Sequence, residues 1–308
     1  MTRDLALERD IRQSLDAVRI VDTHEHLDTE AEFASAHVDF GRLFLHYANC
    51  DLVSAGLPPK DMERIQTDAQ LSPSDKWRLM APYWDAIRNT GYARCLEIAI
   101  RDLYDLDGLS AETVEPLSAK MAANRRPGFY REVFDKAGIG VALWNRLDRF
   151  GPLPKMWTTE YDRGLFIQDM LSPYTGIGEA GWLEGWGREV RCFDDYLGAI
   201  EERFAAYARQ ASALKYGIAY ERPSVFPERA KSEVEPLFIK ALNAGWERNG
   251  PWLTRDEVMA IQDYLVHFSL QQCAKHNLVV KFHTGLQEGN GNTIRNMRAA
   301  LLSNLFFR

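Results

Sequence analysis

The chain has 308 residues, of which 46% are apolar, and its 44 acidic residues outnumber its 37 basic ones for a net charge of -7. This length and apolar fraction are sufficient for a large buried core. The acidic balance excludes the basic surface that a nucleic-acid partner would require. We therefore expect a small-molecule substrate as the partner, and the sequence leaves a homo-oligomer open.

The cysteines and the amino terminus bear on localisation. Cys50, Cys95, Cys192 and Cys273 lie far apart, which is typical neither of a zinc ribbon nor of a secreted disulfide scaffold. The first 20 residues carry acidic side chains throughout and lack the apolar segment of a signal peptide. No stretch approaches the roughly 20 apolar residues of a membrane span. The sequence therefore predicts a cytoplasmic protein without a membrane contact.

Short apolar runs, each followed by polar residues or glycine, predict five β-strands. These runs occupy residues 19–27, 140–146, 165–170, 214–220 and 278–285. Helical patterns, such as that of residues 192–210, lie between them. Strands that alternate with helices indicate a parallel sheet, and at this length they predict an α/β fold of the TIM-like (β/α) barrel type.

Two regions interrupt the alternation. Residues 28–130, after the first strand, have an almost entirely helical pattern, and residues 224–262 are rich in Trp, Pro and charge. Both follow the carboxyl end of a strand, which is the catalytic face of a barrel, so they are interpreted either as pocket walls or as additional packing. Because no repeat or long linker separates them, residues 1–308 are predicted to form a single barrel domain.

The predicted strands number five, whereas a complete barrel of this type has eight. Only one further helical pattern, at residues 292–307, follows the fifth strand. The sequence therefore predicts a barrel that lacks its last strands, or a fold that closes in another way.

The strongest local motif is Asp22-Thr23-His24-Glu25-His26, at the end of the first predicted strand. Strand side chains alternate between faces, so His24 and His26 are expected to point the same way. Neutral imidazoles are good ligands for zinc, manganese or iron. The motif predicts two ligands of a divalent metal ion, and a hydrogen-bonded histidine pair is the alternative.

Other candidate residues lie at the ends of later strands. His283 ends the fifth strand and is predicted to be a third metal ligand or a general base. Lys215, on the inward face of the fourth strand, would need an anionic partner, unless it is a strand lysine that reaches the solvent. Arg222 could bind a substrate carboxylate, although a surface salt bridge is equally compatible with its position. His46 and Tyr47 are weaker candidates for the pocket wall or for helix packing.

These residues resemble those of a known superfamily. VDTHEHL (21–27) resembles the first-strand signature of the amidohydrolase superfamily, and FHTGLQEGNGN (282–292) resembles the fifth-strand histidine segment of its amidohydrolase-related branch. ALKYGIAYER (213–222) looks like the preceding strand of that branch. Residues 75–121, from DKWRLM to LSAKM, are similar to the helical region of uronate isomerases, which belong to the same superfamily.

The resemblance implies a divalent metal, with zinc expected and manganese or iron as alternatives. It makes His24 and His26 ligands, His283 a ligand or a base beside the metal, and Lys215 a lysine that is carbamylated in only some branches. The superfamily also has a histidine on strand six and a metal-binding aspartate on strand eight, and neither has a counterpart in these 308 residues.

Three functional hypotheses follow. The first is a metal-dependent hydrolase in which activated water attacks an amide, ester or lactone of a small carboxylate-bearing substrate. The second keeps the fold and changes the reaction to isomerisation of a uronate or decarboxylation of an aromatic acid, as the resemblance implies. The third is a truncated, catalytically inactive member of the superfamily.

Overall fold

The computed structural model describes residues 5–145, 161–166, 190–208, 211–243 and 253–306. The chain divides into two compact units. The first, here called the helical unit, comprises Met1–Val18, Asp28–Ile139 and Glu288–Gly291, and the second, the sheet unit, comprises Arg19–Leu27, Gly140–Gln287 and Asn292–Arg308. The predicted assignment of the whole chain to a single domain stays a prediction.

The helical unit confirms the helical pattern predicted for residues 28–130. Its α-helices are α1 (Leu5–Asp16), α2 (Glu30–Ser35), α3 (Ala48–Ser54), α4 (Pro59–Thr67), α5 (Pro73–Ile87), α6 (Gly91–Tyr104), α7 (Val114–Ala123) and α8 (Phe129–Ala137). Local sequence signals define several of their ends. Helix α5 begins after Ser72, whose side chain accepts a hydrogen bond from the Asp75 backbone, and has Pro73 at its first position.

A buried ion pair lies in the core of the helical unit. Nζ of Lys76 is 2.7 Å from Oδ2 of Asp39, and the two side chains are 1% and 7% exposed. The other carboxylate oxygen of Asp39 accepts a hydrogen bond from the backbone of Gly41 at 2.8 Å. In the same unit, the ring of Phe44 packs edge-on against that of Trp84. The polar groups of this core are therefore bonded to each other, as burial requires.

The sheet unit contains a five-stranded sheet whose strands follow the chain order. The strands are β1 (Ile20–Glu25), β2 (Ile139–Asn145), β3 (Tyr161–Phe166), β4 (Ala213–Tyr216) and β5 (Val279–Phe282). Neighbouring strands from β2 to β5 are parallel. Four of the predicted strands are confirmed, although β4 ends at Tyr216 and not at residue 220 as predicted. The third was predicted at 165–170 but lies at Tyr161–Phe166, and residues 167–170 fall outside the described residues.

Helices cover the sheet unit's core. They are α9 (Phe193–Tyr207), α10 (Lys231–Asn243), α11 (Arg255–His276) and the short α12 (Ser303–Phe306). Helices α9 and α11 pack with α10 around fully buried aromatic residues, including Tyr196, Tyr216 and Phe238. Across the described ranges, no helix has the length and apolar character needed to cross a membrane.

The predicted insertion at 224–262 is helical only in part: it contains α10 and the start of α11, and residues 244–252 lie outside the described residues. The single helix predicted at 292–307 is wrong. That segment forms two 3₁₀ turns, Ile294–Met297 and Ala299–Leu302, before α12. Arg298 between the turns has an extended backbone, which interrupts a continuous helix.

The sheet is strongly curved. In a flat sheet, β1 and β5 would be separated by four strand spacings, or about 19 Å. Instead, Nζ of Lys281 on β5 donates a hydrogen bond to the carbonyl of Thr23 on β1 at 3.0 Å. The ring of His24 on β1 also lies 6.2 Å from that of His283, which follows β5. This curvature is that of part of a (β/α) barrel, and closure of the barrel stays a prediction.

Candidate metal and substrate site

His24 and His26 converge at the carboxyl end of β1. Their Nε2 atoms are 2.9 Å apart, and their rings meet edge to face with centroids 4.8 Å apart. Alternation along the strand places both side chains on one face, as predicted. The carboxylate of Asp22 accepts a hydrogen bond from the backbone of His24 at 3.0 Å and helps to fix this strand end.

Lys215 on β4 reaches the same point. Its side chain is almost completely buried, with 4% of the residue exposed, and its Nζ lies 2.8 Å from Nδ1 of His24. Burial, and then the charge of Lys281, lower the pKa of Lys215 to about 8. The lysine therefore lies on the inner face of the curved sheet, and it does not extend to the solvent as in the alternative interpretation.

His283 extends β5 by one hydrogen bond, because its backbone N–H donates to the carbonyl of Tyr216 at 2.8 Å. Its Nε2 donates to the carbonyl of Leu286 at 2.7 Å, which fixes the ring. The ring also contacts Tyr220 edge to face, with centroids 5.1 Å apart. Burial lowers the pKa of His283, so the imidazole is neutral at pH 7, in the state that binds metals and accepts protons.

The electrostatics of the site favour uncharged imidazoles. Partial loss of hydration, followed by the charge of Lys215, lowers the pKa of His24 to about 4, although the residue is exposed. Beside it, burial and a hydrogen bond with Asp22 raise the pKa of Glu25 to about 8. Glu25 therefore retains its proton at neutral pH, and that reduces the negative charge near the histidines.

The histidine pair fits a metal ion in chemistry and spacing. Two imidazole nitrogens that each lie about 2.0–2.1 Å from one ion must be within roughly 4.2 Å of each other. The observed 2.9 Å satisfies that condition. The same distance also suits the alternative hydrogen-bonded pair. Within the described part of the chain, no three His, Cys, Asp or Glu side chains are grouped to hold an ion. The role of His283 as a third ligand stays a prediction.

Arg222 has contacts that account for its buried guanidinium. It forms an ion pair with Asp263 at 2.7 Å, and the two side chains are 3% and 1% exposed. Further hydrogen bonds join it to the carbonyls of Met259 and Val225. The salt bridge of the alternative prediction is present, but it is buried and does not lie at the surface. The role of Arg222 as a ligand of a substrate carboxylate stays a prediction.

His46 and Tyr47 belong to the helical unit. Nδ1 of His46 pairs with the carboxylate of Glu288, and the ring of Tyr47 stacks on that of Tyr92 with centroids 4.8 Å apart. Tyr47 has a positive φ of 53°, which is rare for a residue with a side chain. Such strained residues are enriched at functional sites, so the pocket-wall role of this dipeptide stays a prediction.

Sequence reasoning did not identify Lys281 and Tyr220 as site residues. Lys281 lies two positions before His283 on the same strand face, so its inward orientation could have been found from alternation. In the fourth strand as predicted, at residues 214–220 with Lys215 facing inward, alternation would direct Tyr220 outward. It instead ends a 3₁₀ turn, Ile218–Tyr220, that follows β4 and directs its ring towards His283.

The fold is similar to that of several solved structures. A glucuronate isomerase from Caulobacter crescentus has a TM-score of 0.75 at 17% identity, over 100% of this chain and 70% of its own. A uronate isomerase from Thermotoga maritima has a TM-score of 0.62 at 13% identity, over 87% of this chain and 60% of its own. A protein from Lactobacillus casei, provisionally designated a metal-dependent hydrolase, has a TM-score of 0.57 at 14% identity, over 95% of this chain and 65% of its own.

These similarities confirm the predicted likeness in fold to the amidohydrolase-related proteins and the uronate isomerases. At identities of 13–17% they show the fold alone. The chain spans between 60% and 70% of the length of these three proteins. No protein-family profile matches the sequence, and no curated protein sequence matches it.

Proposed function

We propose that this protein is a metal-dependent hydrolase acting on an amide, ester or lactone of a small carboxylate-bearing substrate. The observation that carries the proposal is the convergence of the His24 and His26 imidazoles, 2.9 Å apart, at the carboxyl end of β1. In barrels of this type, that end of the strands is where catalytic groups lie. The similarity to a provisionally designated metal-dependent hydrolase and to uronate isomerases supports an enzymatic role.

Each residue has a role that follows from its contacts. His24 and His26 would hold the ion through Nε2, with zinc expected and manganese or iron as alternatives. When bound, a divalent ion supplies Lewis acidity towards a carbonyl oxygen and lowers the pKa of a water molecule towards neutrality. His283, whose ring donates a hydrogen bond to the carbonyl of Leu286, would act as a proton acceptor. Lys215 supplies positive charge next to His24.

Isomerisation of a uronate is the second candidate. It is favoured by the similarity to two uronate isomerases, one of which has the TM-score of 0.75 given above. The same residues serve this reaction differently: His283 would move a proton between adjacent carbon atoms, and the lysine charge would bind the uronate carboxylate. The two candidates share a metal requirement, so they are separated by their products.

The first experiment measures the metal content of the purified protein by elemental analysis. We compare the wild type with a His24→Ala, His26→Ala double variant, and with His37→Ala, an exposed histidine of the helical unit, as the matched control. Near-stoichiometric metal in the wild type and control, lost in a folded double variant, supports the proposal. A folded wild-type protein that takes up no zinc, manganese or iron would overturn it and favour the non-catalytic alternative.

A second experiment distinguishes the reactions. Metal-loaded protein is incubated with D-glucuronate and, separately, with a small lactone and a small amide that carry a carboxylate. Release of acid or amine identifies a hydrolase, whereas conversion of the aldose to a ketose identifies an isomerase. The His24→Ala, His26→Ala variant is the control for contaminating activity, since either reaction should disappear with the metal.

We also propose a cytoplasmic location. All four cysteines are free thiols in the structure, which suits a reducing compartment. Fractionation of cells that produce the protein would test this, because recovery outside the cytoplasm would contradict it.

A further inference from the structure

The helical unit contains a pocket of about 410 Å³. Its wall is formed by residues 37–39, by the segment of residues 69–73 between α4 and α5, and by one face of α7. Volumes of about 300–1,000 Å³ are typical of sites that bind small molecules. None of the candidate metal ligands lines this pocket. It is therefore large enough for a small molecule and does not use the histidines of the candidate metal site.

Part of the pocket wall suits an apolar group. Val38 is buried, whereas Leu71 and Pro73 are partly exposed, and Ala119 on α7 is exposed. A ligand that covers these side chains removes their apolar surface from water, which favours binding. The apolar lining residues are Val38, Ala69, Leu71, Pro73 and Ala119.

The buried polar groups of the lining already have partners. Oδ2 of Asp39 accepts hydrogen bonds from Nζ of Lys76 at 2.7 Å and from the ring of His37 at 3.2 Å. The hydroxyl of Ser118 donates to the carbonyl of Val114 at 2.7 Å. The negative charge of Asp39 is thus balanced by Lys76, and these groups complete the core and leave ligand recognition to other side chains.

Glu115 provides a negative charge that the lining does not balance. Its Oε1 accepts hydrogen bonds from the backbone and the hydroxyl of Ser74, at 3.0 and 2.6 Å. Among the described residues, neither its Oε2 nor the side chain of Gln70 has a hydrogen-bond partner. No lysine or arginine lines the pocket. The lining therefore offers a carboxylate oxygen and an amide oxygen to a ligand that carries positive charge.

The start of α5 is the part of the lining that would otherwise attract an anion, because helix amino ends carry unpaired N–H groups and partial positive charge. Here the backbone N–H of Ser74 donates to Glu115, and that of Asp75 donates to the hydroxyl of Ser72 at 3.1 Å. Pro73 has no N–H group. An anionic ligand would therefore find these donors occupied, and it would be repelled by Glu115.

We propose that this pocket binds a small molecule in which a primary ammonium group is attached to an apolar body. The ammonium group, which has three N–H donors, bonds to Oε2 of Glu115 and to the amide oxygen of Gln70. The apolar body lies against Leu71 and Ala119. The inference goes beyond the proposed hydrolase function, because it assigns a second ligand to residues that take no part in that reaction.

The test is ligand binding to the full chain, measured by saturation-transfer NMR titration at neutral pH and low ionic strength. The probe is benzylamine, and its matched neutral counterpart is benzyl alcohol, in which a hydroxyl replaces the ammonium group. Glu115→Gln removes the charge but retains an acceptor for Ser74, with Glu112→Gln, an exposed position one turn earlier, as its control. Ala119→Phe narrows the pocket, with the exposed Ala123→Phe on the same helix as its control. Circular dichroism is recorded for each protein.

We expect the wild type and both controls to bind benzylamine more tightly than benzyl alcohol. Glu115→Gln should weaken benzylamine binding by about fivefold, the upper range for an ion pair near the surface, and leave benzyl alcohol binding unchanged. Ala119→Phe should weaken the binding of both compounds, because it occupies the space of the apolar body. Added salt should weaken the binding of benzylamine alone.

Absence of benzylamine binding by the folded wild type would overturn the inference, as would equal affinity for the amine and the alcohol. Equal effects of Glu115→Gln and Glu112→Gln would also overturn it, since they would show attraction to the acidic surface as a whole. Unchanged binding by folded Ala119→Phe would place the amine elsewhere and contradict the proposed site. The hydrolase proposal fails separately, through absent metal or absent turnover, because this experiment measures neither.

Discussion

The guanidinium of Arg222 donates a hydrogen bond to the carboxylate of Asp263 at 2.7 Å, and both side chains are almost completely buried. The second carboxylate oxygen of Asp263 accepts a hydrogen bond from Arg229 at 3.2 Å. This pair joins the segment after β4, which carries Tyr220, to helix α11. Because the ring of Tyr220 contacts His283, the ion pair supports one wall of the candidate site.

We expect Asp263→Ala to lower the free energy of unfolding by about 3–5 kcal/mol, because removal of one partner leaves the other charge buried without compensation. Denaturation in urea, followed by circular dichroism, measures the effect. Asp135→Ala is the control, since its pair with Arg131 is exposed on both sides, and we expect a change of about 0.5 kcal/mol or less. Equal changes in the two variants would contradict this account.

Much of the site's core was predictable because it depends on local periodicity. Alternation along one strand places His24 and His26 on the same side, and the polar end of an apolar run marks where β5 stops before His283. The helical content of residues 28–130 was likewise predictable from pattern alone. These features need no information about distant parts of the chain.

Long-range contacts account for what the sequence did not reveal. Arg222 and Asp263 are 41 positions apart, and nothing in the local sequence identifies either as the partner of the other. The pairing of Lys215 with Lys281 depends on the register between two strands that are separated by two helices. The fourth strand was predicted too long because Ile218 and Ala219 are apolar, yet the backbone turns there into a 3₁₀ helix.

A close backbone contact in the helical unit makes Gly41 sensitive to substitution. A Cβ atom at this position would lie 2.2 Å from the backbone carbonyl oxygen of Ile65, which cannot move without shifting α4. We expect Gly41→Ala to lower the free energy of unfolding by about 1–3 kcal/mol or more, as overpacking does. Thermal unfolding provides the measurement.

The matched control for that variant is Gly91→Ala, at the first position of α6, where a Cβ would meet no atom within 4 Å. Alanine favours helical backbone over glycine, so this change should be neutral or stabilising by up to about 1 kcal/mol. Similar losses in Gly41→Ala and Gly91→Ala would show that the carbonyl of Ile65 is not the obstacle.

Helix α11 depends on a capping box at its amino end. The Thr254 side chain accepts a hydrogen bond from the backbone of Glu257 at 3.3 Å, and the Glu257 carboxylate accepts one from the backbone of Thr254 at 2.7 Å. We expect Thr254→Ala to lower the free energy of unfolding by about 1 kcal/mol. Thr254→Ser retains the hydroxyl and should recover most of the loss in urea denaturation, and failure to do so would contradict the capping role.

The thiol of Cys273 should be protected from alkylation in the native protein. It lies on α11 with 2% of the residue exposed, and burial raises its pKa to about 12. The thiolate is the reactive form, so at pH 8 both access and ionisation protect this residue. Cys95 is exposed and serves as the internal comparison. Iodoacetamide treatment followed by peptide mass spectrometry should modify Cys95 in native protein and Cys273 only after unfolding in urea.

The same shift predicts a pH effect on stability. The unfolded chain loses the Cys273 proton at the ordinary thiol pKa of about 9.0, whereas the folded protein retains it to about pH 12. Between these values the folded state binds more protons than the unfolded state, so the free energy of unfolding falls as pH rises. A Cys273→Ala variant should show a smaller decline above pH 9 than the wild type in urea titrations. Parallel declines would show that the thiol ionises equally in both states, and would contradict its burial.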